Sequence, residues 1–137
     1  MTFAPTPKMS TYLGGDGGRR FPVPRSARPS NVPIRICATP DKKPLGRIAL
    51  DAAQDILRFY NRYFGIKYPF GKLDVLAVPD FAAGAMENTA AIFYREADLL
   101  ADAKTASVET RKNIASVLAH EMAHQWFWRP GHDAVVG

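Results

Sequence analysis

Ser107 to Phe127 reads SVETRKNIASVLAHEMAHQWF, and within it lies His120-Glu121-Met122-Ala123-His124. The stretch contains neither Pro nor Gly. Ile114, Val117, Leu118, Met122 and Gln125 recur at helical spacing, so the segment predicts one long helix with a single, mostly apolar face. Ser107 suits the N-cap, and Glu109 suits the positive end of the helix dipole. Arg111 and Lys112 fall on the outer side. Each helical residue advances about 100°, so His120 and His124 project from one face, about 40° apart. Two imidazoles so placed can close on one Zn2+ ion. Glu121 between them can take a proton from a metal-polarised water. A chance occurrence of the string would need no helix around it, and here the helical pattern is strong.

A second string, Gly84-Ala85-Met86-Glu87-Asn88, follows a strand-like run from Leu73 to Val78 that is closed by Pro79-Asp80. Alone it reads as a loop of small residues between two strands, with Glu87 an ordinary loop carboxylate. Together with His-Glu-x-x-His-x-Trp-Phe downstream, it resembles the aminopeptidase N family of zinc metallopeptidases, of the gluzincin type. The similarity extends to Asn61–Phe70, to Leu73–Phe81, to Tyr94-Arg95-Glu96 and to Thr6–Leu13, and covers roughly residues 3–13 and 32–127.

That resemblance implies a zinc-dependent aminopeptidase acting on peptides with a free N-terminus. His120 and His124 become metal ligands and Glu121 the catalytic general base. Glu87 becomes the carboxylate that binds the substrate α-amine, which a mid-chain amide cannot satisfy. Gly84, Ala85, Met86 and Asn88 join Glu87 as the substrate-binding loop, whose small residues allow close approach of a peptide.

The family pattern breaks after Phe127. Relatives continue with Gly, paired tryptophans and Asn-Glu, whose glutamate is the third zinc ligand, and a later tyrosine steadies the oxyanion. Here Trp128 stands where Gly is expected, no glutamate follows Glu121, and the last tyrosine is Tyr94. A catalytic zinc takes three protein ligands and one open position. His132 and Asp133 are the remaining donors, but their spacing does not match the metzincin alternative. The expectation is an incomplete, inactive fragment: a piece of the catalytic domain, a frameshifted or misassembled reading frame, or a domain completed by a further domain or chain. The alternative is a remnant or interaction module that keeps the fold without the chemistry.

Residues 14–31 also leave the pattern. Their density of Gly, Pro and Arg cannot bury enough apolar surface to offset chain entropy, which predicts a loose segment. Residues 1–13 then read as a strand from a preceding β domain, 32–127 as a partial peptidase catalytic domain, and 128–137 as an off-pattern tail. Residues 1–50 hold nine Lys and Arg against two Asp and Glu, and the remainder nine against eleven. A basic nucleic-acid arm is conceivable, but no interleaved aromatic pattern supports it.

Cys37 is the single cysteine, so no disulfide can form within the chain. No run of 18 apolar residues and no basic-then-apolar leader is present, so the expectation is a cytoplasmic chain without a membrane span. Strands are expected near 6–13, 33–38, 72–78 and 90–95, with a turn at 41–44. A helix over 46–63 is expected to bury Ile48, Ala52, Ile56, Phe59 and Tyr63, with Gly65 just beyond its end. A mixed sheet with two long helices is an α+β arrangement, and by the resemblance a partial thermolysin-like zinc peptidase domain.

Overall fold

The computed structural model describes residues 32–127. The strand expected at 6–13, the loose segment 14–31, the tail 128–137, and with it His132 and Asp133, lie outside the described residues. The chain runs β1 (Ile34–Cys37), α1 (Arg47–Tyr63), β2 (Leu73–Val78), β3 (Ala85–Met86), β4 (Ala91–Arg95), α2 (Glu96–Leu99) and α3 (Val108–Phe127). The strands form one mixed sheet in the order β1-β2-β4-β3. β1, β2 and β4 are parallel, and β3 runs antiparallel to β4 on the outer edge. The α+β expectation of a mixed sheet and two long helices describes this architecture.

Parallel β1 and β2 require a crossover, and α1 supplies it. Alternation along the strands then decides what the helices cover. Ile34, Ile36, Leu73, Val75, Ala77, Ile92 and Tyr94 point to one face and form the core with α1 and α3. From α3, Ile114, Leu118 and Met122 enter this core at spacings of four, as the sequence pattern implies.

The face of α1 differs from the expectation. Ile48 is buried as read, but the other buried positions are Ala49, Ala53 and Leu57. Ala52 and Ile56 are half-buried, whereas Phe59 and Tyr63 are 57% and 71% exposed. Close approach explains the rotation. A Cβ on Gly46 would stand 3.0 Å from Ile36 Cγ2, so the start of α1 lies directly on β1. Gly46, Ala49 and Ala53 suit that close approach, Ile48 and Leu57 fill the core beside it, and the Phe59 and Tyr63 rings turn away. Gly65 does end α1 in the left-handed region, at φ +64°, where glycine is favoured.

On the opposite sheet face Asp74 is buried and stands opposite Arg35 in the β1–β2 register. Arg35 donates to both carboxylate oxygens and Lys72 to one of them. Burial pushes the Asp74 carboxyl up, but the bonds from Arg35 and Lys72 outweigh it and hold it below its ordinary value. A folded value below the unfolded one means stability that is present above the unfolded value, near pH ~3.9, and lost as pH falls through the folded one. Asp74→Asn is therefore expected to cost about 1–3 kcal/mol at neutral pH. That cost should shrink as urea melts are repeated at steps below pH ~4. An unchanged difference at low pH would count against the ion pair.

Candidate active site

α3 starts where its sequence says. The Thr110 N–H donates to Ser107 Oγ at 3.0 Å, the cap expected of Ser107. Arg111 is exposed and braces the approach by donating to the Ala103 carbonyl at 2.6 Å. From this start the turns place Glu121, Met122 and Gln125 inward, with His120 exposed and His124 half-buried.

His120 Nε2 and His124 Nε2 stand 3.4 Å apart, with ring centroids 5.0 Å apart and planes at 81°. Two nitrogens each about 2.05 Å from one tetrahedral zinc are about 3.3 Å apart. The pair therefore fits two corners of such a site as it stands. No third His, Cys, Asp or Glu joins them into a metal-binding group among the described residues.

Glu121, buried between them, has its carboxyl pushed up by burial. The His120 and His124 imidazoles oppose that rise, and the nearby Glu87 carboxylate adds to it. A carboxylate raised by burial binds a proton more readily than a solvated one, which suits a general base.

The Gly84–Asn88 string is more ordered than a plain loop. Ala85 and Met86 pair antiparallel with Tyr94 and Phe93, and the Arg95 N–H donates to the Gly84 carbonyl at 2.9 Å. The turn beyond is closed by bonds from Asn88 N–H to the Met86 carbonyl and from Ala91 N–H to the Asn88 carbonyl. Asn88 is buried beneath the bend, and its Oδ1 has no hydrogen-bond partner among the described residues. Met86 and Glu87 are half-buried, and Gly84 is exposed.

Gln125 joins the two motifs. Its Nε2 donates to the Glu87 carbonyl at 3.1 Å, and its Oε1 accepts from the Ala90 N–H at 2.9 Å. Ala90 sits at φ +57°, a conformation costly for an alanine, and the Gln125 bond helps hold it there. The role of Gln125 is not readable from either motif. The one signal was its position as the lone polar member of an otherwise apolar helical stripe.

A second brace comes from α1 and the turn after it. The Tyr60 hydroxyl donates to the Ala119 carbonyl and Trp126 Nε1 to the Ile66 carbonyl, both at 2.9 Å. The Trp126 ring packs among Tyr60, Phe64 and Tyr68 at centroid distances of 5.4–5.6 Å.

These constraints bring Gly84 and Ala85 of the loop and His120 and Glu121 of α3 onto the wall of one open cavity of about 440 Å³. Met86, Glu87, Asn88 and His124 do not line it. The arrangement sets a buried base beside two converging imidazoles, under a strand edge open on one side.

Comparison with known proteins agrees with this architecture. Residues 48–129 match the peptidase family M1 domain. The chain is 45% identical over 129 residues to aminopeptidase 2 of Candida albicans, covering 93% of this chain and 14% of that protein. It is 47% identical over 125 residues to endoplasmic reticulum aminopeptidase 2 of Homo sapiens, covering 91% and 13% respectively. To the probable aminopeptidase 2 of Sulfurisphaera tokodaii it is 45% identical over 127 residues, covering 93% and 16%. The chain belongs to peptidase family M1. It spans 13–16% of the length of these relatives. Among the described residues no helix is long and apolar enough to cross a membrane.

Proposed function

We propose that this chain carries the base, two of the metal ligands and the amine-binding loop of a zinc-dependent aminopeptidase, within a thermolysin-like catalytic domain. The observation that carries the reading is the 3.4 Å approach of the His120 and His124 Nε2 atoms beside buried Glu121. The relatives named as aminopeptidases support it further.

Zinc, when bound, would polarise the scissile carbonyl and acidify a water. His120 and His124 would hold it from adjacent turns. Glu121 takes the proton of the attacking water at its carboxylate and can return it to the leaving amine. Glu87, fixed through its own carbonyl by Gln125, offers a carboxylate to the free α-amine of the peptide. That single ammonium contact restricts cleavage to the first peptide bond.

These 137 residues alone are expected to turn over aminoacyl-anilides little or not at all with zinc present, because the third donor is not among the described residues. The assay is run beside Glu121→Gln. Robust turnover that the substitution abolishes would show that the site is complete as it stands, and would overturn the reading of a partial site.

A further inference from the structure

The cavity beside His120 has a second wall that the chemistry above does not use. Asp98 of α2, and Asn113 and Ser116 of α3, line it together with Gly84, Ala85 and Glu121. Asn113, Ser116 and His120 fall at spacings of three and four, on one face of α3. Val117 is the apolar member of the lining, Asn113 and Ser116 are neutral polar groups, and Asp98 is the carboxylate that the chemistry above leaves unused.

The Arg95 guanidinium pairs only loosely with Asp98 and is held chiefly by the loop before β3. Arg95 donates through Nε to the Phe81 carbonyl at 3.0 Å and through Nη2 to the Ala82 carbonyl at 2.6 Å. Its Nη1 reaches Asp98 Oδ2 only at 4.0 Å, and Asp98 keeps 31% of its side chain exposed. The same Oδ2 lies 3.8 Å from where a Cβ on Gly84 would stand, so this carboxylate is held against the loop. Glu121, more than nine-tenths buried, faces the same space.

The open sheet edge fixes which part of a peptide reaches this wall. β3 is the outermost strand. The Arg95 N–H to Gly84 carbonyl bond marks one hydrogen-bonded pair with β4. Antiparallel alternation then turns the Ala85 N–H and C=O outward. An extended peptide can add there as a further strand. With its amine at Glu87 and its chain running back towards Gly84, its second residue falls beside Ala85 and Gly84, since each residue advances about 3.4 Å. On the reading of Glu87 as the amine anchor, that side chain is directed at the cavity that Gly84 and Ala85 line.

We propose that the cavity walled by Asp98, Asn113 and Ser116 selects a cationic side chain, lysine or arginine, at the second residue of the peptide. The selection rests on the reading of Glu87 as the amine anchor. Asp98 supplies the counter-charge at the far wall, while Asn113 and Ser116 offer neutral acceptors along the stem.

The test is calorimetric titration of the full chain, with a chelator present so that no peptide is cleaved. The probes are alanyl-lysine amide, alanyl-norleucine amide and N-acetylalanyl-lysine amide. The lysine peptide is expected to bind about twofold to fivefold more tightly than the norleucine peptide, the scale of one partly solvated charge pair. Asp98→Asn should remove that advantage and leave the norleucine peptide unchanged. Asp98→Lys should transfer the advantage to alanyl-glutamate amide. Equal affinity for lysine and norleucine in the unsubstituted chain, an advantage that survives Asp98→Asn, or no binding by any probe overturns the proposal. Acetylation reports separately on the amine anchor: if it changes nothing, the Glu87 reading fails and the second-residue assignment falls with it, whereas weakening by acetylation with equal lysine and norleucine affinities removes the cation selection alone.

Discussion

Gln125→Ala is expected to destabilise the chain by about 1–3 kcal/mol, because two half-buried backbone groups lose their partner at once and a buried side chain is removed. The Ala90 N–H and the Glu87 carbonyl both end on this one side chain. The loss is compounded by Ala90, whose left-handed conformation loses one of the contacts that hold it. A folded domain of this size carries only about 5–15 kcal/mol in all, so the change is large. The distinguishing readout is local. Amide exchange at Ala90 should quicken well beyond the change in global stability, since its acceptor has gone, while Leu118 deep in α3 should follow the global value. If Ala90 and Leu118 quicken together, Gln125 is a core residue of the helix and not a tie to the loop. Gln125→Glu separates the two halves of the bond, for it keeps an acceptor for Ala90 and loses the donor to Glu87.

The tie also marks where sequence reading stops. α3 was legible because its rule is local: Ser107 caps its own next turn, and Ile114, Leu118 and Met122 repeat at the helical period. The β2 and β4 strands were legible for the same reason. The buried side of α1 was not, because the sheet selected Ala49 and Ala53 by clearance while the pattern favoured the larger Phe59 and Tyr63. β3 and α2 were missed altogether. A strand of two residues exists only through its pairing with β4, and α2 is a single turn that begins where β4 ends. At the site, the converging histidines and the base were legible from a five-residue spacing. The grip of Gln125 on residues 35 and 38 positions away was not, and neither was Asp98 on the cavity wall, since both depend on how distant segments meet.

Zinc binding gives the other large effect. Titrated into the metal-free chain, zinc is expected to raise the melting temperature, because a ligand that favours the folded state adds RT ln(1 + [L]/Kd), about 2.7 kcal/mol at one hundred times Kd. His124→Ala should lower the affinity at least about tenfold, a loss of about 1.4 kcal/mol or more, and His120→Ala should do the same. The double variant should be little worse than either single one. With two donors 3.4 Å apart, removing one leaves a lone imidazole, so the second substitution finds little left to remove. Glu121→Gln should leave the affinity close to that of the unsubstituted chain, since the carboxylate is assigned to the proton and not to the metal. His120 is exposed, so its loss should barely move the melting temperature without zinc, which keeps the metal effect separate from folding. Zinc-dependent stabilisation that survives both single substitutions would place the metal elsewhere on the chain. The converging imidazoles would then be no more than neighbours on a helix.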